Sequence, residues 1–133
     1  MNPLTKVSTL MTSELITVPA FTPIGEAKKL LEKHGIHHLP VVSPEGELEG
    51  ILSHADFLKV VEQYDSSQTV DTIMTSHLAK LEPGDSVRTA ANLFALNRFH
   101  ALPVVDGDKL VGILTTLDLI RLMDAEKVDL SDY

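Results

Sequence analysis

The sequence predicts an α+β fold, built as a tandem pair of β-α-β-β-α units related by a pseudo-twofold axis, and three observations carry that expectation. The chain repeats itself. Val7-Ser8-Thr9-Leu10-Met11-Thr12-Ser13 returns as Val70-Asp71-Thr72-Ile73-Met74-Thr75-Ser76, 63 positions on from Met11 to Met74. The same displacement carries Ile36-His37-His38-Leu39-Pro40-Val41-Val42 onto Phe99-His100-Ala101-Leu102-Pro103-Val104-Val105. After one deletion, Leu48-Glu49-Gly50-Ile51-Leu52-Ser53-His54-Ala55-Asp56 matches Leu110-Val111-Gly112-Ile113-Leu114-Thr115-Thr116-Leu117-Asp118. A unit of about 60 residues present only twice is no solenoid, which needs three or more repeats to bury its faces, so the duplication reads as a pair. Each copy also runs through a helical spacing of apolar residues and then two short β-rich stretches. Finally, 133 residues at 44% hydrophobic are enough for one packed core.

In chain order, each copy opens with a short strand, Leu15 to Val18 and Leu78 to Leu81. A Pro-bearing turn follows, Val18-Pro19-Ala20-Phe21-Thr22-Pro23 or Leu81-Glu82-Pro83-Gly84-Asp85-Ser86, and leads into a helix. Thr22 with Pro23 at the first helical position, and Asp85 or Ser86 in the second copy, are helix-start chemistry; Ile24, Ala27, Leu30 and Leu31 then recur at helical spacing, and Gly35 ends the helix. His38 to Val42 and Leu48 to Leu52 form a hairpin, repeated around Asp106-Gly107-Asp108-Lys109. A second helix opens at Ser53 or Thr115 and carries Phe57, Leu58, Val60 and Val61, or Leu119, Ile120, Leu122 and Met123. The repeats are expected at 7–62 and 70–124, joined by a polar linker at 63–69.

Composition excludes several function classes. A net charge of −8 disfavours nucleic acid and anionic lipid surfaces, both of which need clustered Lys and Arg. It also disfavours phosphate at long range, so a phosphate ligand must rely on local groups such as helix N-termini. No apolar run approaches the roughly 20 residues of a membrane span, and Met1-Asn2-Pro3-Leu4-Thr5-Lys6 lacks a signal-peptide layout, so the chain is expected in the cytoplasm. With no cysteine there is neither a disulfide framework nor a thiolate metal site.

The motif with most chemistry is the one at each strand-to-helix junction. Ser53-His54-Ala55-Asp56 and Thr115-Thr116-Leu117-Asp118 place a hydroxyl at the N-cap and an acid three residues on, the pattern of a capping box. The bland reading is capping alone, worth about 0.5–2 kcal/mol at each site. The functional reading uses the same geometry, with a phosphate at the helix N-terminus and a carboxylate accepting two ribose hydroxyls. His34, His37 and His38 span a helix end and a strand start with no carboxylate at matching spacing, so no metal site is expected. His37 and His100 hold equivalent places, which suits a bracing role, whereas His54 has no counterpart and reads as a surface residue. No Ser/Cys-His-Asp constellation and no glycine-rich phosphate loop is present, and an enzyme is not expected.

Taken together, the leading Met-Thr, the Leu-Pro-Val-Val run, the Gly-apolar-apolar-Thr/Ser-x-x-Asp motif and their duplication resemble the CBS (cystathionine β-synthase-type) domains, which occur as tandem pairs. The resemblance spans Val7 to Met123 and leaves no room for a catalytic domain. It implies two composite clefts for an adenine nucleotide. Thr115 and Asp118 face Ile16, Ile36 and His37, while Ser53 and Asp56 face Ala79, Phe99 and His100. The Asp residues sit on ribose and the hydroxyls point towards phosphate. Positions where phosphate-binding relatives often carry Arg or Lys hold His38, Ala101, His54, Ala55, Thr116 and Leu117, which disfavours ATP and favours AMP first, then ADP or an adenosyl compound. Such a ligand is regulatory, and no cofactor is obligatory. The apolar surplus on both second helices further predicts a homodimer meeting through those helices, and the resemblance implies a regulated partner protein. The alternative is a nucleotide-free dimerisation or interaction module, its clefts plugged by side chains such as Phe99.

Overall fold

The computed structural model describes residues 2–60, 68–97 and 99–125. A 3-10 turn at Val7–Thr9 precedes helix α1 (Ile24–His34), strands β1 (His38–Val42) and β2 (Leu48–Ser53), and helix α2 (His54–Phe57). The second copy repeats this order, with a 3-10 turn at Val70–Thr72, then α3 (Val87–Leu96), β3 (Ala101–Asp106), β4 (Lys109–Thr115) and α4 (Thr116–Asp124). The α+β class and the tandem duplication hold. β1 pairs antiparallel with β2, and β3 with β4, each hairpin with a bulge at the equivalent place, between Val41 and Val42 and between Val104 and Val105.

Three expected elements differ. The opening strand of each unit is a single parallel bridge, Val18 to Val41 and Leu81 to Val104. Val18 N–H donates to the Pro40 carbonyl at 3.1 Å and accepts from Val42 N–H at 3.0 Å. The next rungs of a parallel ladder would need N–H groups at Pro40 and Pro44, or at Pro103 and Pro83, and proline has none. Helix α1 begins at Ile24 with Pro23 as its N-cap residue, because the Thr22 hydroxyl donates back to the Pro19 carbonyl at 2.7 Å instead of capping. Ser86, by contrast, caps α3 by accepting from Thr89 N–H. Helix α2 is only four residues long; Leu58 and Lys59 N–H already bond three residues back, so Leu58 and Val60 lie past its end. Val61 and positions 63–67 of the expected linker lie outside the described residues. Gly35 ends α1 as expected, in the left-handed conformation at φ 60°.

The core is two clusters, and each takes residues from both repeats. Val18, Ile24, Ala27, Leu31, Leu39, Val41 and Leu52 of the first repeat pack with Val70 and Ile73, whereas Val7 packs into the second cluster with Leu81, Val87, Ala90, Leu102, Val104 and Leu114. The leading segments are therefore exchanged. Thr12 bridges to Ile113 and Thr75 to Ile51, Lys6 to Ser86 and Thr69 to Pro23, so every contact has its pseudo-twofold mate. Where these segments cross the facing hairpins, Met11 lies on Gly112 and Met74 on Gly50. Among the described residues no helix is long and apolar enough to cross a membrane.

Candidate functional site

The exchange of leading segments leaves a cavity of about 650 Å³ between the repeats, within the range of small-molecule sites. The first repeat contributes the Thr12 to Ile16 segment, the end of α1, the start of β1 and the β2–α2 junction; the second contributes His100, Ile113 and the β4–α4 junction. Of the expected site residues, Ile16, Ile36, His37 and Thr115 line it together. Ser53 and His100, expected in the other cleft, line the same cavity, while Asp56, Asp118, Ala79 and Phe99 are not part of its lining. Asp118 stands directly behind Thr115. Ala79 packs against the second core cluster, and Phe99 is 37% exposed.

Both junction motifs are capping boxes, and their environments differ. Asp118 Oδ2 accepts from Thr115 N–H at 2.8 Å and from the Thr115 hydroxyl at 3.1 Å, and the same hydroxyl accepts from Asp118 N–H at 3.3 Å. Asp56 is more engaged. Its Oδ2 takes Ser53 N–H at 2.8 Å and the Ser53 hydroxyl at 3.3 Å, and its Oδ1 accepts from the Thr75 hydroxyl at 3.2 Å and pairs with Lys59 Nζ at 2.6 Å. At 4% exposure this carboxylate is buried among donors of its own chain, including one from the other repeat. Asp118 is half-buried.

Histidines make up much of the polar lining. His37, His38, His54 and His100 all reach the cavity, and the His37 and His54 rings lie 5.6 Å apart. His54 is exposed, as its lack of a counterpart suggested, but it stands at the mouth of the cavity rather than on a plain outer face. Duplication can flag only residues present twice, and His38 aligns with Ala101, so both were invisible to that signal. Burial holds the His38 imidazole below its usual titration range, reinforced by His37, His100 and His54, with Asp56 pulling the other way. Among the described residues no group of three or more His, Asp or Glu is placed to hold a metal ion.

The lowered His38 value has a consequence for stability. An unfolded-chain histidine titrates near pH 6.5, so between that value and the lower folded one the unfolded chain binds more protons and stability rises with pH. Stability is thus expected to fall as pH drops through about 6.5 and to level off below the folded value. His38→Gln is expected to flatten this part of the curve of melting temperature against pH. An unchanged slope in the variant would place its cause at another group.

Comparison with known proteins gives a consistent picture. A family model described as CBS domain matches residues 7–63 and 70–125. The chain is 34% identical over 118 residues to the CBS domain-containing protein YhcV of Bacillus subtilis, covering 87% of this chain and 84% of that protein. It is 33% identical over 127 residues to an L-aspartate semialdehyde sulfurtransferase of Methanocaldococcus jannaschii, spanning 95% of this chain but only 25% of the larger protein. Among solved structures, the CBS domain pair of protein MJ0100, in complex with 5′-methylthioadenosine and S-adenosyl-L-methionine, superposes with TM-score 0.83 at 33% identity, covering 94% of this chain and 100% of that one. CBSX2 in complex with AMP superposes with TM-score 0.82 at 28% identity, covering 92% and 98%.

Proposed function

Because the chain belongs to the CBS domain family, we propose that it is a regulatory module that binds an adenosine-bearing ligand, AMP foremost, between its repeats and passes the occupancy to a partner protein. The observation that carries this reading is the composite cavity, in which Ile16 and Ile36 of one repeat face Thr115 of the other. The apolar pair suits the flat faces of a purine, and backbone groups beside them suit its polar edge. Asp118 would take the ribose hydroxyls, with phosphate directed towards Thr115. Two related pairs solved with adenosine compounds support the ligand class. The other set, Ser53, Asp56, Ala79, Phe99 and His100, would serve a second, pseudo-symmetric ligand position, for which Asp56 must exchange Thr75 or Lys59 for ribose. This function calls on no catalytic residue, and a cytoplasmic location would suit it.

Thermal shift against AMP, ADP, ATP, NAD and S-adenosylmethionine tests the reading. A rise in melting temperature with AMP or another short adenosine compound is expected, and no response to any of the five would leave the nucleotide-free interaction module as the better account.

We further propose that the module is a homodimer. Leu117, Ile120 and Met123 recur three residues apart along α4 and are 48%, 59% and 60% exposed, and Leu58 beside α2 is 85% exposed. An isologous contact between these faces of two copies would cover them. Sedimentation at tens of micromolar, well above a dissociation constant of about 1 μM, should show the dimer, and a strictly monomeric profile there rules it out.

A further inference from the structure

We propose that the cavity histidines select the ligand by its charge: protonated, they hold a phosphate-bearing adenosine compound, and neutral, they favour an uncharged or sulfonium-bearing one. The inference rests on the adenosine-binding reading above and adds what decides between members of that class.

Among the described residues the lining of the cavity contains no Lys or Arg, and its one carboxylate is Glu14. With neutral imidazoles its formal charge is that of Glu14 alone, in a chain of net charge −8. In the first turn of α4 two N–H groups are already engaged, so a phosphate near Thr115 meets few backbone donors there. Thr116 N–H already donates to the His100 carbonyl at 3.0 Å, and Asp118 N–H to the Thr115 hydroxyl. Among the described lining residues, the positive charge a phosphate requires can come from the imidazoles of His37, His54 and His100, whereas burial holds His38 towards its neutral form.

These side chains come from both repeats. His37 and His38 lie at the start of β1, His54 opens α2, and His100 precedes β3. The charged and titratable groups that bear on His38 are His37, His100 and His54, and Asp56 with its partner Lys59; Glu14 also lines the cavity. Positive charge on His37, His100 or His54 opposes protonation of His38, and an anion among them offsets that opposition. Ligand and proton then bind with reciprocal coupling: AMP takes up protons as it binds, and acid tightens AMP. A sulfonium centre in the same place reverses the sign.

The test is calorimetric titration of the full chain with AMP, adenosine and S-adenosylmethionine at about pH 8 and about pH 6.5, a range that brackets ordinary histidine titration from above. AMP should tighten towards about tenfold per pH unit if one proton is taken up, adenosine should stay constant, and S-adenosylmethionine should weaken. The double variant His54→Gln/His100→Gln changes two exposed side chains that lie outside both core clusters, so its fold should persist while the AMP slope shrinks. If AMP and adenosine bind with the same pH dependence, or the double variant keeps the full AMP slope, the charge selector is wrong and the adenosine site stands. If S-adenosylmethionine tightens in parallel with AMP, the selector is equally wrong. If none of the three binds at either pH, the binding reading fails and this inference fails with it.

Discussion

Asp118→Asn is expected to lower the affinity for AMP about tenfold or more while changing the stability of the ligand-free protein little. A carboxylate accepting two ribose hydroxyls makes charged hydrogen bonds worth about 1.5–3 kcal/mol each, and an amide accepts at one atom only, presenting a donor at the other. Asp118 is the N3 residue of the box, and an asparagine Oδ1 there can still accept from Thr115 N–H, so the folded state loses a fraction of the roughly 0.5–2 kcal/mol of a cap. A ligand at 100 times its dissociation constant stabilises by about 2.7 kcal/mol, and a tenfold weaker one by about 1.4 kcal/mol less, a difference visible in melting curves. Asp56→Asn is the contrast. Its carboxylate is buried among Ser53, Thr75 and Lys59, so the amide would turn an N–H towards donors in a site closed to water, costing about 1–3 kcal/mol of stability. The Lys59 contact adds little, because that side chain is 52% exposed and such pairs are worth about 0–1 kcal/mol. If neither variant alters the response to an adenine compound that stabilises the wild type, both Asp residues are caps, and the assignment of ribose to Asp118 is lost.

Gly112→Ala is expected to cost about 1–3 kcal/mol, as overpacking of a filled site does. An alanine Cβ there would lie 2.8 Å from Met11 Cγ, closer still to Sδ, and 3.1 Å from the Thr12 carbonyl oxygen. The thioether can shift. The Thr12 backbone cannot follow readily, because its N–H and carbonyl exchange hydrogen bonds with Ile113 at 2.9 and 3.0 Å. Gly50→Ala should cost a similar amount, meeting Met74 Cγ at 2.9 Å and the Thr75 carbonyl at 3.0 Å. A double-mutant cycle with Met11→Ala isolates the cause: the smaller side chain should relieve part of the penalty, giving a coupling of about 0.5–3 kcal/mol. Strict additivity would show that the methionine is not what the glycine makes room for.

Much of this was legible from pattern alone. The helix-start and hairpin signals placed α1, β1 to β4 and α4 within a residue or two, because caps, turn residues and alternation act locally. The capping boxes at Ser53 and Thr115 were readable for the same reason. Local signals failed where a proline removed a hydrogen bond at long range: the strands expected before Val18 and Leu81 need partners that Pro40, Pro44, Pro83 and Pro103 cannot supply. The duplication did not flag His38 and His54, since neither has a counterpart in the other copy; only the family resemblance put them at phosphate-facing positions, and nothing in a linear spacing brings residue 54 to within ring distance of residue 37.

The sequence by itself determined that the chain is a duplicated α+β module, that each unit ends its hairpin in a capped helix, and that cysteine chemistry is absent. These follow from local propensity and from one unit being written twice. Tertiary structure alone decided that the leading segment of each repeat packs on the other, so that Val7 completes the second core and Val70 the first. It also decided that Ser53 and His100 share a cavity with Ile16, Ile36, His37 and Thr115, and that Asp56 is enclosed by donors while Asp118 is only half-buried. The physical reason is that a duplication records what two units have in common. Which surface of one meets which surface of the other, and how far the two halves of a pseudo-twofold site diverge, is set by packing between residues far apart in the chain.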